Sequence, residues 1–172
     1  MGLGNSNCDL RGTLKNMLIR DFLPGEEALL REVFVLSVHQ LGASFYTSEQ
    51  LDAWAPADVD AAKWQEKIAT IRPYVAVVDG RIAGYADLQE TGYIDHFFVS
   101  GAFARRGVGS ALMRHLHDVA QARGLSELSA HVSLSAEAFF ARQGFVVRVR
   151  QSVPVRGAVL SNAHMVKELR AS

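Results

Sequence analysis

YIDHFFVSGAFARRGVGSALM, residues Tyr93 to Met113, is the stretch on which the fold turns. Tyr93 to Val99 is aromatic and β-branched, as a buried strand should be. Phe103 to Leu112 then places Gly107-Val108-Gly109 directly before a helix. Glycine lets the backbone come close to oxygens with no Cβ in the way, and the first amides of a helix are free to receive an anion. The unit reads as strand, loop, glycine turn and helix, with the amides of Arg106 to Ser110 as a pyrophosphate cradle. A P-loop would need a lysine after the glycines, and none occurs here. A dinucleotide fingerprint would need a third small residue where Leu112 stands.

Toward the C-terminus, Ala111, Leu112, His115, Leu116, Val119 and Ala120 form one stripe of the helix, and Gly124 stops it. A strand "LSELSAHV" (125–132) follows, then "SLSAEAFFARQGF" (133–145). "GFVVRVRQSVPV" and "HMVKEL" read as final strands joined through "RGAVLSN" (156–162). Toward the N-terminus, Asp79-Gly80 joins two β-rich runs in "PYVAVVDGRIAGYADLQE", a hairpin signal. Before them, "NMLIRDF" reads as a strand, and "PGEEALLREVFVLSVHQL" as an amphipathic helix opened by Pro24. Ser48 is expected to cap a short helix toward Trp54. Pro56 breaks it, and "ADVDAAKWQEKIATI" resumes with Trp64, Ile68 and Ile71 at helical spacing. Residues 1–16 are polar and Gly/Asn-rich, so a poorly ordered extension is expected there, with 17–172 as one domain.

Composition suits one core: 172 residues, 49% hydrophobic. Lys plus Arg equals Asp plus Glu at 18 each, so no global field recruits nucleic acid or anionic membrane. Cys8 is the sole cysteine, which excludes an internal disulfide and a thiolate metal cluster. His115 and His117 diverge by about 200° on a helix and cannot clamp one ion, so no metal is expected. No apolar run reaches the roughly 20 residues of a transmembrane helix. A soluble cytoplasmic protein is the expectation.

The arrangement resembles the GNAT superfamily of acetyl-CoA-dependent N-acyltransferases over roughly Met17 to Leu169. Its first signature is a strand, a loop, Gln/Arg-x-x-Gly-x-Gly/Ala and a helix. Its second has an Asn, an Ala and a Tyr before Gly-Phe, and falls here on Ser133, Ala136, Phe140, Gly144 and Phe145. Ala104 stands at the Gln/Arg position, with Arg105 and Arg106 next to it. The resemblance implies an α/β fold with a mixed, mostly antiparallel central sheet, flanked by helices and split to admit CoA. It implies that backbone groups of Phe98 and Val99 pair with the pantetheine arm and that Arg105, Arg106, Gly107, Val108, Gly109 and Ser110 hold the phosphates. Ser133 and Phe140 complete the cofactor side. The implied acceptor is a small-molecule or peptide amine, and a homodimer is the family-based expectation.

Amide formation needs a neutral amine, and an alkylammonium holds its proton until a pKa near ~10, so a base or a water relay is required. Asp95 occupies the strand position where many members of the superfamily carry a Glu for this, and His96 is adjacent; His131 is a third candidate. Strand alternation sends Asp95 and His96 to opposite faces unless a bulge intervenes. Phe140 replaces the Tyr that protonates the departing thiolate, but a thiol of pKa ~8.5 leaves readily as thiolate. Tyr46, Tyr85 and Tyr93 are alternative acids. Tyr46 and Trp54 are expected to line the acceptor pocket. Ser133 lacks the Gly-x-Ser-x-Gly elbow of a nucleophile. The rival readings are a non-catalytic CoA-binding regulatory module, motivated by Phe140, and a nucleotide-binding fold unrelated to acyl transfer.

Overall fold

The computed structural model describes residues 16–171, so the expectation for the N-terminal extension lies, but for Asn16, outside the described residues. Strand β1 (Met17–Asp21) is followed by helices α1 (Glu27–Gly42), α2 (Ser48–Trp54) and α3 (Ala61–Ile71). Strands β2 (Tyr74–Val78), β3 (Arg81–Ala86), β4 (Tyr93–Ile94) and β5 (Phe97–Val99) come next. A 3-10 turn (Gly101–Phe103) leads into α4 (Val108–Ala122), β6 (Glu127–Ser133), α5 (Glu137–Arg142), β7 (Val146–Val155) and β8 (Ala158–Glu168).

The strands form two four-stranded sheets, ordered β1-β2-β3-β5 and β4-β6-β8-β7. Every pairing is antiparallel except β4 with β6, where Tyr93 and Ile94 lie beside Ser129 and Ala130. The mixed α/β fold expected from sequence is therefore present, and the chain passes from one sheet to the other between Ile94 and Phe97. That passage opens the split.

The β2–β3 hairpin turns at Asp79-Gly80, both in the left-handed region (φ 48° and 77°), as a two-residue type I′ turn requires. Arg156-Gly157 repeats the device at φ 43° and 83°. The last connection is thus two residues long, not the seven of "RGAVLSN", because Ala158 to Asn162 pair in step with Val155 to Gln151. Pro24 also stands outside α1, in a turn with Gly25 at φ 100°. The cap of α2 is Thr47 rather than Ser48: its hydroxyl accepts the Gln50 N–H at 3.2 Å while Gln50 Oε1 accepts the Thr47 N–H at 2.9 Å.

The first sheet is covered on both faces. Helix α4 lays Val108, Leu112, Met113, Leu116 and Ala120 against one, in a core with Ala76, Val78, Phe140, Phe145 and Met165. Helices α1 and α3 cover the other with Leu30, Val33, Trp64 and Ile68 against Val75 and Tyr85. Met113 joins the α4 core although it lies outside the stripe read from sequence. Truncating one such buried Leu or Met costs ~2–5 kcal/mol, so the two layers fix where β5 lies and hence where the split opens.

Candidate functional site

The split between β5 and β6 holds a cleft of about 50 Å³, lined among others by Trp54, Asp95, Phe98, His131, Ser133 and Phe140. Five of these six belong to the site expected from sequence, and the sixth, His131, was its third base candidate. A larger concavity of about 340 Å³ lies between α1 and the β2–β3 hairpin, lined by Arg20, Glu26, Glu32, Arg81 and Phe103, and contains none of them.

One edge of β5 is bonded to β3 and the other faces the split. The His96 carbonyl accepts from the Asp87 N–H and the Ser100 N–H donates to the Ala83 carbonyl, at 3.1 and 2.8 Å. Alternate residues of an antiparallel strand bond to the same neighbour, so Phe98, paired with Tyr85, also spends its backbone on β3. Phe97 and Val99 present theirs to the split. Phe98 instead contributes its ring, packed edge-on to Phe34 at 4.9 Å and tilted against Trp54 at 6.2 Å. Phe97 is thus the strand residue that sequence reasoning missed, since only the phase of the ladder distinguishes the two edges.

Asp95 and His96 interrupt the ladder between β4 and β5. Both backbone N–H groups donate to one oxygen, Asp87 Oδ1, at 2.9 and 2.7 Å. This bulge breaks the strand alternation. Helix α3 consequently touches both residues: Lys67 Nζ is ion-paired with the Asp95 carboxylate, and Trp64 packs on the His96 ring at 6.0 Å. Asp87 is wholly buried, and among the described residues its Oδ2 makes no hydrogen bond. Burial pushes its carboxyl up to about 6; the two N–H donors and the nearby Gln89 amide pull the other way.

His96, unlike Asp95, is not among the residues that line the cleft. Its ring is enclosed by Phe34, Trp64, Tyr85 and Phe98, with Nδ1 hydrogen-bonded to the Tyr85 hydroxyl at 3.0 Å. Burial lowers it to about 4, partly offset by Asp95, so it is neutral at physiological pH. Asp95 remains at the cleft with its side chain 23% exposed. His131 faces Asp95's side of the split, exposed, with Nδ1 bonded to the Tyr93 hydroxyl at 3.0 Å.

Three of the expected roles meet constraints. The Tyr46 hydroxyl donates to the Ser161 carbonyl at 2.7 Å and accepts the Leu134 N–H at 2.9 Å, so this side chain ties the α1–α2 loop to β8 and to the end of β6. It reaches the cleft only through Trp54, whose ring it meets edge-on at 5.7 Å. Phe140 is 2% exposed within an aromatic cluster of Phe97, Phe139 and Phe145. Ser133 Oγ shares a 2.9 Å hydrogen bond with Ser135 Oγ.

Beyond β5, Gly107 caps α4 at φ 83°, and a Cβ there would meet nothing within 4 Å. Its lack of a side chain serves conformation and an open approach, not packing. Gly109 differs: a Cβ would lie 3.2 Å from the Phe139 ring, so this glycine lets α4 close on α5. The first intrahelical bond runs from the Ala111 N–H to the Gly107 carbonyl, which leaves the earlier amides without helical partners. Arg105 and Arg106 are exposed beside them and form no ion pair or side-chain hydrogen bond among the described residues. The cradle can therefore take an anion.

Comparison with known proteins agrees with this geometry. Residues 43–169 match the family model of the acetyltransferase (GNAT) domain. The chain is 34% identical over 152 residues to the uncharacterized N-acetyltransferase YafP of Escherichia coli K12, covering 88% of this chain and 96% of that protein. A crystal structure of a GCN5-related N-acetyltransferase from Rhodopseudomonas palustris superposes with a TM-score of 0.86 at 34% identity, over 91% of this chain and 98% of the other. The PaiA N-acetyltransferase of Thermoplasma acidophilum, solved in complex with coenzyme A, shares the fold at a TM-score of 0.72 and 16% identity, over 90% and 99% of the two chains. The chain belongs to the GNAT superfamily of acetyl-CoA-dependent acyltransferases.

Proposed function

We propose that the protein transfers the acetyl group of acetyl-CoA to the amine of a small molecule or peptide by direct attack in a ternary complex. The observation that carries this reading is the split itself: a carboxylate, Asp95, stands in a cleft beside the uncommitted edge of β5, and the chain after β5 leads into a helix N-terminus that can hold phosphates. The free edge of β5 at Phe97 and Val99 pairs with the pantetheine arm, and a backbone N–H there polarises the thioester carbonyl. The amides of Gly107 to Ser110, with Arg105 and Arg106, hold the pyrophosphate. Ser133 and the face of Phe140 border the acyl end, and Trp54 walls the acceptor side.

The acceptor enters as an ammonium and yields its proton to Asp95, directly or through one water. The nitrogen lone pair then forms the C–N bond, the C–S bond breaks and its electrons leave with the thiolate, and the second proton shed by the nitrogen passes to the departing thiolate or to water, leaving a neutral amide. Neutral, enclosed His96 packs behind Asp95 and does not take the proton. No tyrosine supports the leaving group at Phe140, and a thiol of pKa ~8.5 departs without one. The test is a panel of amines incubated with acetyl-CoA, with thiol release and acetylated product measured together. Product from at least one amine supports the reading. Acetyl-CoA bound with no product from any amine supports instead a non-catalytic CoA-binding module, the alternative that Phe140 motivates.

A further inference from the structure

We infer that Asp87 is a positioning residue for this reaction: one buried carboxylate oxygen, by taking both N–H groups of the bulge, holds Asp95 at the cleft and turns His96 into the aromatic enclosure behind it. No other hydrogen bond to either backbone N–H exists among the described residues. Without this oxygen two part-buried donors would lose their partner, and a regular strand would send Asp95 and His96 to opposite faces. The second oxygen of Asp87, Oδ2, is buried and makes no hydrogen bond among the described residues.

The carboxylate accepts more strongly than the neutral acid, so protonation weakens the grip on the bulge without removing the acceptor. Burial sets the proton uptake of Asp87 at about 6. The charged and titratable groups around it are Asp95 and His96 on the bulge, Tyr85 on β3, Tyr93 on β4, and Lys67 on α3 acting through Asp95. From the C-cap of α4, Arg123 reaches the neighbouring Leu88 carbonyl at 3.0 Å. Burial holds His96 well below its ordinary range, at about 4, and pushes both tyrosines up, whereas Asp87, whose carboxyl group itself takes the two N–H groups of the bulge, is raised to about 6.

This assignment rests on Asp95 acting at the cleft, and its test separates the two claims. The amide protons of Asp95 and His96 are followed by NMR from pH 4 to 8, with their hydrogen exchange, in the parent protein, in Asp87→Asn and in Asp87→Ala. The parent is expected to show both amide shifts moving with a common midpoint near 6. Asp87→Asn keeps an acceptor and should keep slow exchange while losing that midpoint. Asp87→Ala should lose about 100-fold or more of the exchange protection at these two amides. With acetyl-CoA and the best amine of the panel, or with the slow hydrolysis of acetyl-CoA where no amine reacts, Asp87→Ala should lower kcat roughly tenfold to a hundredfold. The KM for acetyl-CoA should stay within about twofold, because β5 and α4 hold the cofactor. Asp87→Asn should recover most of kcat. Parent-like exchange in Asp87→Ala, or the same common midpoint in Asp87→Asn, overturns the inference. A parent protein that turns over nothing overturns the proposed function alone, since the amide measurements still decide the role of Asp87.

Discussion

Asp95 and His96 are neighbours in sequence with opposite chemical fates. Asp95 stays at the cleft, paired with Lys67, and His96 is sealed among Phe34, Trp64, Tyr85 and Phe98. Asp95→Asn is therefore expected to reduce kcat roughly 100-fold or more while leaving acetyl-CoA affinity unchanged, as read from steady-state thiol release and calorimetric titration. An equal loss in His96→Gln would assign the proton transfer wrongly. Tyr46→Phe removes the hydroxyl that joins the Leu134 N–H to the Ser161 carbonyl. The expected cost is ~1–3 kcal/mol in urea denaturation, with little change in the KM for the acceptor. A large rise in that KM with unchanged stability would return Tyr46 to the acceptor pocket. Asp95 was singled out by the resemblance, from the position where many members of the superfamily carry a Glu. Asp87 and Lys67 were not: an acidic residue closing a strand reads as a turn former, and a lysine on an amphipathic helix reads as a solvated face. Only a lone carboxylate in the apolar run "AGYADL" hinted at the former.

The glycine turn and the helix it opens were read directly from their spelling, because a positive φ and a free first turn leave a local signature. The two glycines nevertheless do different work. Gly107 has open space and needs only its left-handed φ, whereas Gly109 is pressed on Phe139. Gly107→Ala is expected to cost ~1–2 kcal/mol of stability and keep much of the acetyl-CoA affinity. Gly109→Ala must move Phe139 and with it α5, so it should disturb the cleft as well; proton NMR of the Phe139 and Phe140 rings reports this, and unshifted rings would contradict it. Gly92 is tighter still, since a Cβ there would stand 2.2 Å from the Glu127 carbonyl oxygen, where β4 meets β6. What sequence could not supply was pairing. The long β7–β8 hairpin hid its two-residue turn inside a stretch that alternates like a loop, and the edge of β5 that faces the split follows from ladder phase, a property of two strands together.

Both sheets, the helices that cover them and the split between them act on stability through two buried titrating groups of opposite sense. His96 is neutral in the fold down to about 4, whereas an unfolded His binds its proton near ~6.5, so acid favours the unfolded chain between those values. Asp87 takes its proton at about 6 in the fold and near ~3.9 when unfolded, so acid favours the fold between those values. From about pH 6 to 4 the two contributions oppose each other. Asp87→Asn should expose the His96 term and lose stability relative to the parent by up to ~1.4 kcal/mol per pH unit over this interval, measured by urea denaturation. Parallel pH profiles of variant and parent would exclude the opposition. Global architecture was the most legible level of all, because layered cores and a glycine-opened helix each repeat their signal over many residues, while the few hydrogen bonds that shape the bulge are carried by one side chain. The thermal midpoint with acetyl-CoA, with ATP and NAD as controls, in the parent and in Gly107→Glu, probes the cleft and its cradle together. At about 100 times its dissociation constant a ligand adds ~2.7 kcal/mol, or roughly 5–10 °C for a chain of this size. The parent should show that rise with acetyl-CoA alone and Gly107→Glu should lose it; no rise, an equal rise with ATP or NAD, or an undiminished rise in the variant would mean that the cleft and its glycine cradle do not hold the cofactor.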